Sequence, residues 1–219
     1  MDGKGTVATW KDKHRRMYDQ ATRHPFIMSI RDGAVDYSAF KRWLGQDYIF
    51  VRQFIPFTAS VIIKSCKHSD EESDMQVLLS GISSLNDEIS WFKTQAQNWD
   101  VHLHSLVPLQ ANLNYCKYLE SLMEPEVDYS VAITAFWAIE AVYQESFAQC
   151  LESSAKTPNE LIETCQRWGN AGFGDYCVSL QRIADRCLKN ASSDVLSKAE
   201  ETFISVLQHE VNFWNMSSG

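Results

Sequence analysis

The chain has 219 residues, of which 45% are hydrophobic and 22% charged, proportions typical of a soluble globular protein with a sizeable core. Its formal net charge of -8 argues against nucleic acid or an anionic membrane as a partner, because both bind clustered lysine and arginine. No apolar run approaches the roughly 18 residues of a membrane-spanning helix. The opening sequence MDGKGTVATWKDKH lacks the apolar core of a signal peptide, which favours a cytoplasmic location.

The cysteines favour reduced thiols over a metal site or a disulfide framework. None forms a CxxC pair or a Cys/His cluster with zinc-like spacing. The chain is large, and most of its cysteines lie in helix-like runs, so we expect mostly buried thiols of an intracellular protein. The six are Cys66, Cys116, Cys150, Cys165, Cys177 and Cys187.

Helical periodicity begins near the start of the chain. Apolar residues recur with helical spacing over residues 9–22, and Pro25 and Gly33 then interrupt the pattern. A long helix is predicted from about Tyr37. Pro56 is expected to end or kink it, and a second apolar helix then follows.

The middle of the chain continues the helical pattern. Ser69 and Glu72 form a possible capping box for the next helix. After the loop VHLHSLVPLQ comes the segment NLNYCKYLESLM, which predicts a helix closed by Pro125. An apolar helix is predicted from Asp128 to about Ser153, and another begins near Pro158.

The last part of the chain contains the segment WGNAGFGDY at 168–176, which predicts a break because it holds three glycines. Two amphipathic helices are expected beyond it, at roughly 175–190 and 194–215. We find no repeat, low-complexity tract or linker. The sequence therefore predicts an all-α protein, a multi-helix bundle with one domain over residues 1–219.

Three carboxylates, Asp47, Glu140 and Glu210, lie on apolar faces of predicted helices. Each is three, four or seven residues from apolar or aromatic residues of its own helix, a spacing that places them on one face. An unpartnered buried carboxylate costs several kcal/mol, so such groups persist when they are paired, hydrogen-bonded or line a polar cavity. The neighbours include Phe40, Trp43 and Phe54 for Asp47, Phe136, Trp137 and Tyr143 for Glu140, and Phe203, Leu207 and Trp214 for Glu210.

Two interpretations of these carboxylates remain open. They could satisfy backbone or Tyr/Trp donors in a buried structural network. Alternatively, they could converge on a ligand rich in N–H donors, in a pocket where burial raises carboxylate pKa values towards those useful for acid–base catalysis. Most aromatic residues are expected in the core, but a flat heteroaromatic ligand would need some of them as walls. The candidate walls are Phe50, Phe136, Tyr143 and Phe173.

Other kinds of site fit the sequence less well. A di-iron carboxylate bundle needs Glu-x-x-His pairs, and none occurs. A haem bundle needs a proximal histidine, but His14 lies in the polar segment KDKHRR and is expected on a solvated face. His102 and His104 are expected on the surface. Glu88 lies at the edge of the apolar face of its predicted helix. It could at most assist a site formed by the other carboxylates without contacting the ligand itself.

Six segments in order carry a resemblance to a known family: HPF at 24–26, GQDY at 45–48, NDEISWF at 86–92, AFWAIEAVY at 135–143, WGNAGFGDY at 168–176 and HEVNFWNM at 209–216. The chain resembles the TenA family of thiamin-related proteins, and the resemblance runs essentially end to end. It implies the all-helical haem-oxygenase-like fold and hydrolysis of the aminomethyl-pyrimidine left by thiamin breakdown. It further implies that Asp47 binds the amidine edge of the pyrimidine and that Glu210 donates and accepts protons.

The chain departs from the better-known members at one position. Ala135 stands where they have a nucleophilic cysteine, and Phe50, Ile139 and Gly172 stand where accompanying tyrosines are expected. The chain is therefore similar to the subgroup that lacks the cysteine and carries a glutamate, for which Glu140 is the candidate.

That subgroup is associated with aminopyrimidine hydrolysis and with deformylation of the N-formyl-aminopyrimidine. The resemblance implies homo-oligomers, either dimers or tetramers. The reaction that it implies requires no metal or redox cofactor. Two alternatives remain: a non-catalytic pyrimidine-binding or regulatory protein, and a purely structural helical protein.

Overall fold

The computed structural model describes residues 4–68 and 72–218, and the regular structure in these two ranges is helical, without strands. The prediction of an all-α protein is therefore confirmed. Short 3₁₀ helices cover Leu103–Ser105 and Met216–Ser218. The α-helices are α1 (Thr6–Lys13), α2 (Arg15–Thr22), α3 (Pro25–Arg31), α4 (Tyr37–His68), α5 (Glu72–Asn98), α6 (Gln110–Met123), α7 (Tyr129–Gln149), α8 (Asn159–Gly169), α9 (Ala171–Lys189) and α10 (Ser193–Asn215).

The chain divides into two compact units. Unit 1 comprises Met1–Val35 and Ser130–Val211, and unit 2 comprises Asp36–Tyr129 and Asn212–Gly219. The expectation of one domain over the whole chain stays a prediction.

Unit 1 has an aromatic centre around Phe203 of α10, which is fully buried. Its ring stacks against Trp10 of α1 at 6.3 Å, Tyr18 of α2 at 6.2 Å and Trp137 of α7 at 5.7 Å between centroids. Stacked aromatic rings stabilise such contacts beyond simple area burial. Four helices of unit 1 are thus joined through one side chain.

Helices α7 and α8 of unit 1 approach each other closely at Gly169. A Cβ at Gly169 would lie 2.6 Å from the main-chain carbonyl carbon of Phe147, closer than packed atoms allow. The rings of Phe147 and Trp168 lie 5.2 Å apart beside this contact. The last residue of α8 must therefore be glycine for the two helices to pack in this way.

Unit 2 ties the end of α6 to α4 through a buried lysine. The Nζ of Lys64 donates to the carbonyl oxygens of Glu124 at 2.6 Å and Val127 at 2.9 Å, just after α6 ends. A cation at this position satisfies carbonyls that have no partner within the helix and complements its dipole. Burial lowers the pKa of the Lys64 ammonium group below its usual value.

Helix α4 contains Pro56, which was expected to end or kink it. The structure has one α-helix from Tyr37 to His68, so Pro56 does not end it, and a kink at this residue stays a prediction. Pro56 is exposed, and so is Arg52, whose carbonyl would accept the missing N–H bond. Water can therefore replace that bond. By length and composition alone, α4 could also cross a membrane. The buried core helices of soluble proteins have the same length and composition, and 44% of the most apolar 18 residues of α4 are buried.

Three predicted boundaries are wrong. The helix expected over residues 9–22 is two helices, because α1 ends at Lys13 and α2 begins at Arg15. The expected break after it contains α3, where Pro25 occupies the first turn and the Nδ1 of His24 accepts a hydrogen bond from the Phe26 N–H at 3.2 Å.

The third wrong boundary concerns the start of α9. The glycine-rich break near residue 170 is a single residue, Asn170, whose side chain caps α9 by accepting from the Phe173 N–H at 2.9 Å. Gly172 and Gly174 therefore lie inside the helix. The possible capping box at Ser69 lies outside the described residues.

Candidate functional site

Asp47 lies in the middle of α4 and is 1% exposed, so its predicted burial is confirmed. The helix is apolar on this side, with Trp43, Leu44 and Phe50 also buried. An ionised carboxylate in such surroundings is a strong acceptor for N–H donors, because few water molecules compete with a bound ligand. The role of Asp47 in binding a ligand that presents N–H groups stays a prediction.

Phe50, one turn after Asp47 on α4, belongs to an aromatic cluster of unit 2. Its ring lies 4.7 Å from Tyr115, 5.4 Å from Phe213 and 5.9 Å from Phe54, measured between centroids. It is 3% exposed. The ring is therefore held firmly, and its role as a wall for a bound pyrimidine stays a prediction.

The residue before Asp47 makes contacts that sequence reasoning missed. Gln46 is 4% exposed and hydrogen-bonds to the main chain of Val107 and Leu109. The fully buried Asn112 of α6 donates to Gln46 as well. The only sequence signal was a polar residue next to Asp47 on a largely apolar helix.

Glu140 on α7 is partly exposed. Glu140 is therefore less buried than Asp47 and Glu210, although its helix is buried on most sides as predicted. All the other residues of α7 from 129 to 143 are buried. Gln144 and Glu145, like Glu140, are partly exposed. Gln144 follows Glu140 by four residues, so these two polar side chains share one side of α7 that is partly exposed.

Cys177 of α9 lies close enough to Glu140 to feel its charge. Burial, followed by the carboxylates of Glu140 and Glu145, raises the pKa of the Cys177 thiol well above its usual value. Phe173 precedes Cys177 by one turn of α9 and is half-buried. The role of Phe173 as a wall for a bound pyrimidine stays a prediction, as does a contact between Glu140 and the substrate.

Tyr143 and Phe136 lie on α7, one turn on either side of Glu140. Phe136 is fully buried and Tyr143 is 6% exposed. The Tyr143 ring contacts Trp168 edge to face at 5.7 Å and Phe147 at 5.9 Å. These contacts fix the position of the Tyr143 ring from the side of α8.

Glu210 on α10 is 0% exposed, so its predicted burial is also confirmed. It lies two helical turns after Phe203 and on the same face. Because Phe203 stacks on Trp137, this face of α10 packs against α7, the helix that carries Glu140. Its role as proton donor and acceptor stays a prediction.

The described cysteines offer no evident substitute for the missing nucleophile. Ala135 is fully buried in α7. Cys150, Cys165 and Cys177 are buried as expected, whereas Cys66 is exposed, and none of the six forms a disulfide. Because its pKa is raised, the Cys177 thiol carries little of the thiolate that a nucleophile needs.

The histidines take structural or surface positions. The expectation that His14 lies on a solvated face is wrong: its side chain is 19% exposed, and its Nε2 lies 2.6 Å from the Glu200 carboxylate. His102 and His104 are exposed, as expected. Within residues 4–68 and 72–218, no group of three or more His, Cys, Asp or Glu side chains could hold a metal ion.

The chain is similar to known proteins along nearly its whole length. The model of the TENA/THI-4/PQQC family matches residues 11–219. The chain is 62% identical over 215 residues to the "Probable bifunctional TENA-E protein" of Glycine max, covering 98% of this chain and 94% of that protein. It is 23% identical over 206 residues to the aminopyrimidine aminohydrolase of Helicobacter pylori, covering 89% of each.

Solved structures show the same fold. A TenA homologue from Pyrococcus furiosus has a TM-score of 0.87 at 19% identity, over 96% of this chain and 98% of that chain. The predicted bundle of the haem-oxygenase-like type is therefore confirmed.

Proposed function

Since the chain belongs to the TENA/THI-4/PQQC family, we propose that it is a hydrolase of thiamin salvage acting on C–N bonds of aminopyrimidines. The substrate is 4-amino-5-aminomethyl-2-methylpyrimidine, its N-formyl derivative, or both. Water replaces the exocyclic amine to give the hydroxymethyl-pyrimidine and ammonia. For the formyl compound, water cleaves the amide to give formate and the aminomethyl-pyrimidine. The names of the Glycine max and Helicobacter pylori relatives support this reaction class.

Asp47 is the proposed anchor for the pyrimidine. A carboxylate matches the amidine edge of the ring, because it accepts one hydrogen bond from the amino group and one from a protonated ring nitrogen. The low exposure of Asp47 strengthens such a charge-assisted pair, since water is largely absent. This contact supplies orientation and specificity and leaves the aminomethyl arm available for reaction.

Glu210 is the proposed acid and base. In its protonated form it donates to the leaving nitrogen, so that the C–N bond breaks with loss of a neutral amine. The carboxylate that remains then accepts a proton from the incoming water and returns to its starting state. Glu140 is partly exposed and can activate water at the formyl carbonyl while Glu210 protonates the leaving amine.

A covalent intermediate has no place in this proposal. Alanine at 135 cannot attack the substrate, and the raised pKa of Cys177 disfavours its thiolate. Water attacks directly instead, with the carboxylates moving the protons. The observation that carries the proposal is the nearly complete burial of two carboxylates, Asp47 and Glu210, in a chain of this family.

An assay with a panel of thiamin-breakdown pyrimidines tests the proposal. The aminomethyl-pyrimidine should release ammonia, and its N-formyl derivative should release formate, with hydroxymethyl-pyrimidine as the final product. If neither substrate releases ammonia or formate, the enzymatic role is refuted. The panel also shows which of the two C–N bonds this chain prefers.

The alternative is a pyrimidine-binding protein without catalysis, favoured by the absence of a cysteine at residue 135. Calorimetry on the same compounds separates the two functions. Binding of the aminopyrimidine without release of ammonia or formate would establish the binder. A purely structural protein would show neither binding nor a higher melting temperature in the presence of the pyrimidine.

A further inference from the structure

We infer that Gln46 and Asn112 are positioning residues, which fix the rotational setting of α4 and thereby aim the carboxylate of Asp47 at the pyrimidine. The inference rests on the proposed function, because it takes Asp47 as the pyrimidine anchor. It assigns a task to two buried amides that touch neither the reacting bond nor the proposed proton donors.

The side-chain amide of Gln46 pairs with the loop before α6 in the way one peptide group pairs with another. Its Nε2 donates to the carbonyl oxygen of Val107 at 3.0 Å, and its Oε1 accepts from the Leu109 N–H at 2.9 Å. Both polar ends of the amide are therefore used. Rotation of α4 at this point would break both bonds at once and take these partners from the buried Gln46 amide, a costly change.

Asn112 secures the same residue from α6. Its Nδ2 donates to the main-chain oxygen of Gln46 at 2.8 Å and to the Gln46 Oε1 at 3.0 Å. A carbonyl oxygen has two lone pairs, so the main-chain bond can form without displacing the helical one. Asn112 is 0% exposed, and the Cys116 thiol lies 3.3 Å from its Oδ1. Both the backbone and the side chain of residue 46 are thus held.

Gly45 allows the loop before α6 to approach the backbone of α4 closely. A Cβ at this position would lie 3.0 and 3.1 Å from the two methyl carbons of Leu106, and 3.6 Å from a methyl carbon of Val101. Glycine thus lets Leu106 pack directly on the helix backbone. The segment GQ holds α4 against residues 101–112, and Asp47 follows about 100° further round the helix.

The interface between α4 and α6 continues past this point and provides a matched control. One turn on, Phe50 packs on Tyr115 at 4.7 Å, and the Gln53 Nε2 then donates to the Glu120 Oε1 at 3.1 Å. The Gln53–Glu120 bond is exposed and joins the same two helices. It differs from the Gln46 cluster chiefly in its distance from Asp47 and its exposure.

The test compares Gln46→Met and Asn112→Leu with the control Gln53→Met. Methionine keeps the length of glutamine and removes its hydrogen bonds. We expect the first two variants to raise the Kd for the aminopyrimidine, measured by calorimetry, and the KM by about tenfold, because small misplacements of a binding group are costly. Their kcat should stay within about threefold of wild type, and Gln53→Met should change none of these values. Asp47→Asn serves as the reference for loss of the anchor.

The double variant Gln46→Met/Asn112→Leu should bind no more weakly than the weaker single variant, because residues that act as one cluster are not additive. If Gln46→Met does not fold, the smaller change Asn112→Ser carries the same measurement. Variants with a lower melting temperature but wild-type Kd and KM would overturn the inference. If the wild-type protein itself neither binds nor converts the pyrimidine, the proposed function fails, and this inference fails with it.

Discussion

Phe203 of α10 stacks on Trp137 of α7, with ring centroids 5.7 Å apart and ring planes inclined by 22°. Both side chains are almost completely buried. The contact joins the helices that carry Glu210 and Glu140, and it lies one to two helical turns from each carboxylate. The packing of unit 1 therefore sets where these two groups point.

Replacement of Phe203 by alanine should destabilise the protein strongly. A fully buried phenylalanine in an aromatic cluster costs about 3–5 kcal/mol of unfolding free energy when it is truncated to alanine. Denaturation in urea, followed by circular dichroism, measures the loss. Val178→Ala provides the control, because Val178 is 45% exposed and should cost less than about 0.5 kcal/mol.

Replacement of Glu210 by glutamine should remove turnover and leave pyrimidine binding nearly intact. Glutamine keeps the shape of the side chain but neither donates nor accepts the catalytic proton, and loss of such a group costs about 10²–10⁴-fold in kcat. The assay is ammonia release, with calorimetry for binding. Glu201→Gln is the matched control on α10, since Glu201 is exposed. An unchanged kcat in Glu210→Gln would contradict its role.

Replacement of Cys177 by alanine should leave kcat within about threefold of wild type, as expected for a residue without a covalent role. The physical reason is the raised pKa of its thiol, caused by burial and by the charges of Glu140 and Glu145. Loss of turnover in a folded Cys177→Ala variant would instead point to this thiol as the nucleophile.

Thiol labelling checks the same point without a substrate. Iodoacetamide should label the exposed Cys66 in the native protein and Cys177 only after denaturation. Cys165 should also resist labelling, because a hydrogen bond with Cys150 and burial raise the pKa of its thiol. Mass spectrometry of the labelled peptides distinguishes these sites.

The stability of unit 1 should depend on pH through Glu200. Although partial burial acts to raise its pKa, hydrogen bonds from Lys13 and His14 together hold the pKa of this carboxyl below its usual value. Its contribution is therefore present above the unfolded pKa of about 4.3 and is lost as pH falls through the lower folded value.

The variant Glu200→Gln, which removes the charge of this carboxylate, tests the predicted pH dependence of stability. It should be less stable than wild type by about 0.5–1 kcal/mol at pH 6. The difference should shrink towards zero as the pH approaches 3, because both proteins then lack the charge. Thermal unfolding across this pH range measures the effect, and a difference that grows on acidification would have the wrong sign.

Helical periodicity in the sequence is sufficient to predict the fold class and the burial of two carboxylates. Apolar residues at helical spacing show which side of a helix is buried, because 3.6 residues make one turn. Asp47 and Glu210 lie on such sides and are buried in the structure. Their roles in binding and proton transfer stay predictions, as do the cytoplasmic location and the homo-oligomer.

The contacts that each helix face makes with other helices or with solvent are visible only in the folded chain. Glu140 is partly exposed while residues 141–143 beside it are buried, and a helix that is apolar nearly all round does not show which of its sides stays uncovered. Pro56 stays inside α4 because its surroundings are exposed. Gln46 and Asn112 are 66 residues apart in sequence, and local periodicity cannot predict a hydrogen bond over that separation. Pairings between distant residues depend on how the helices pack, which the pattern of one helix does not contain.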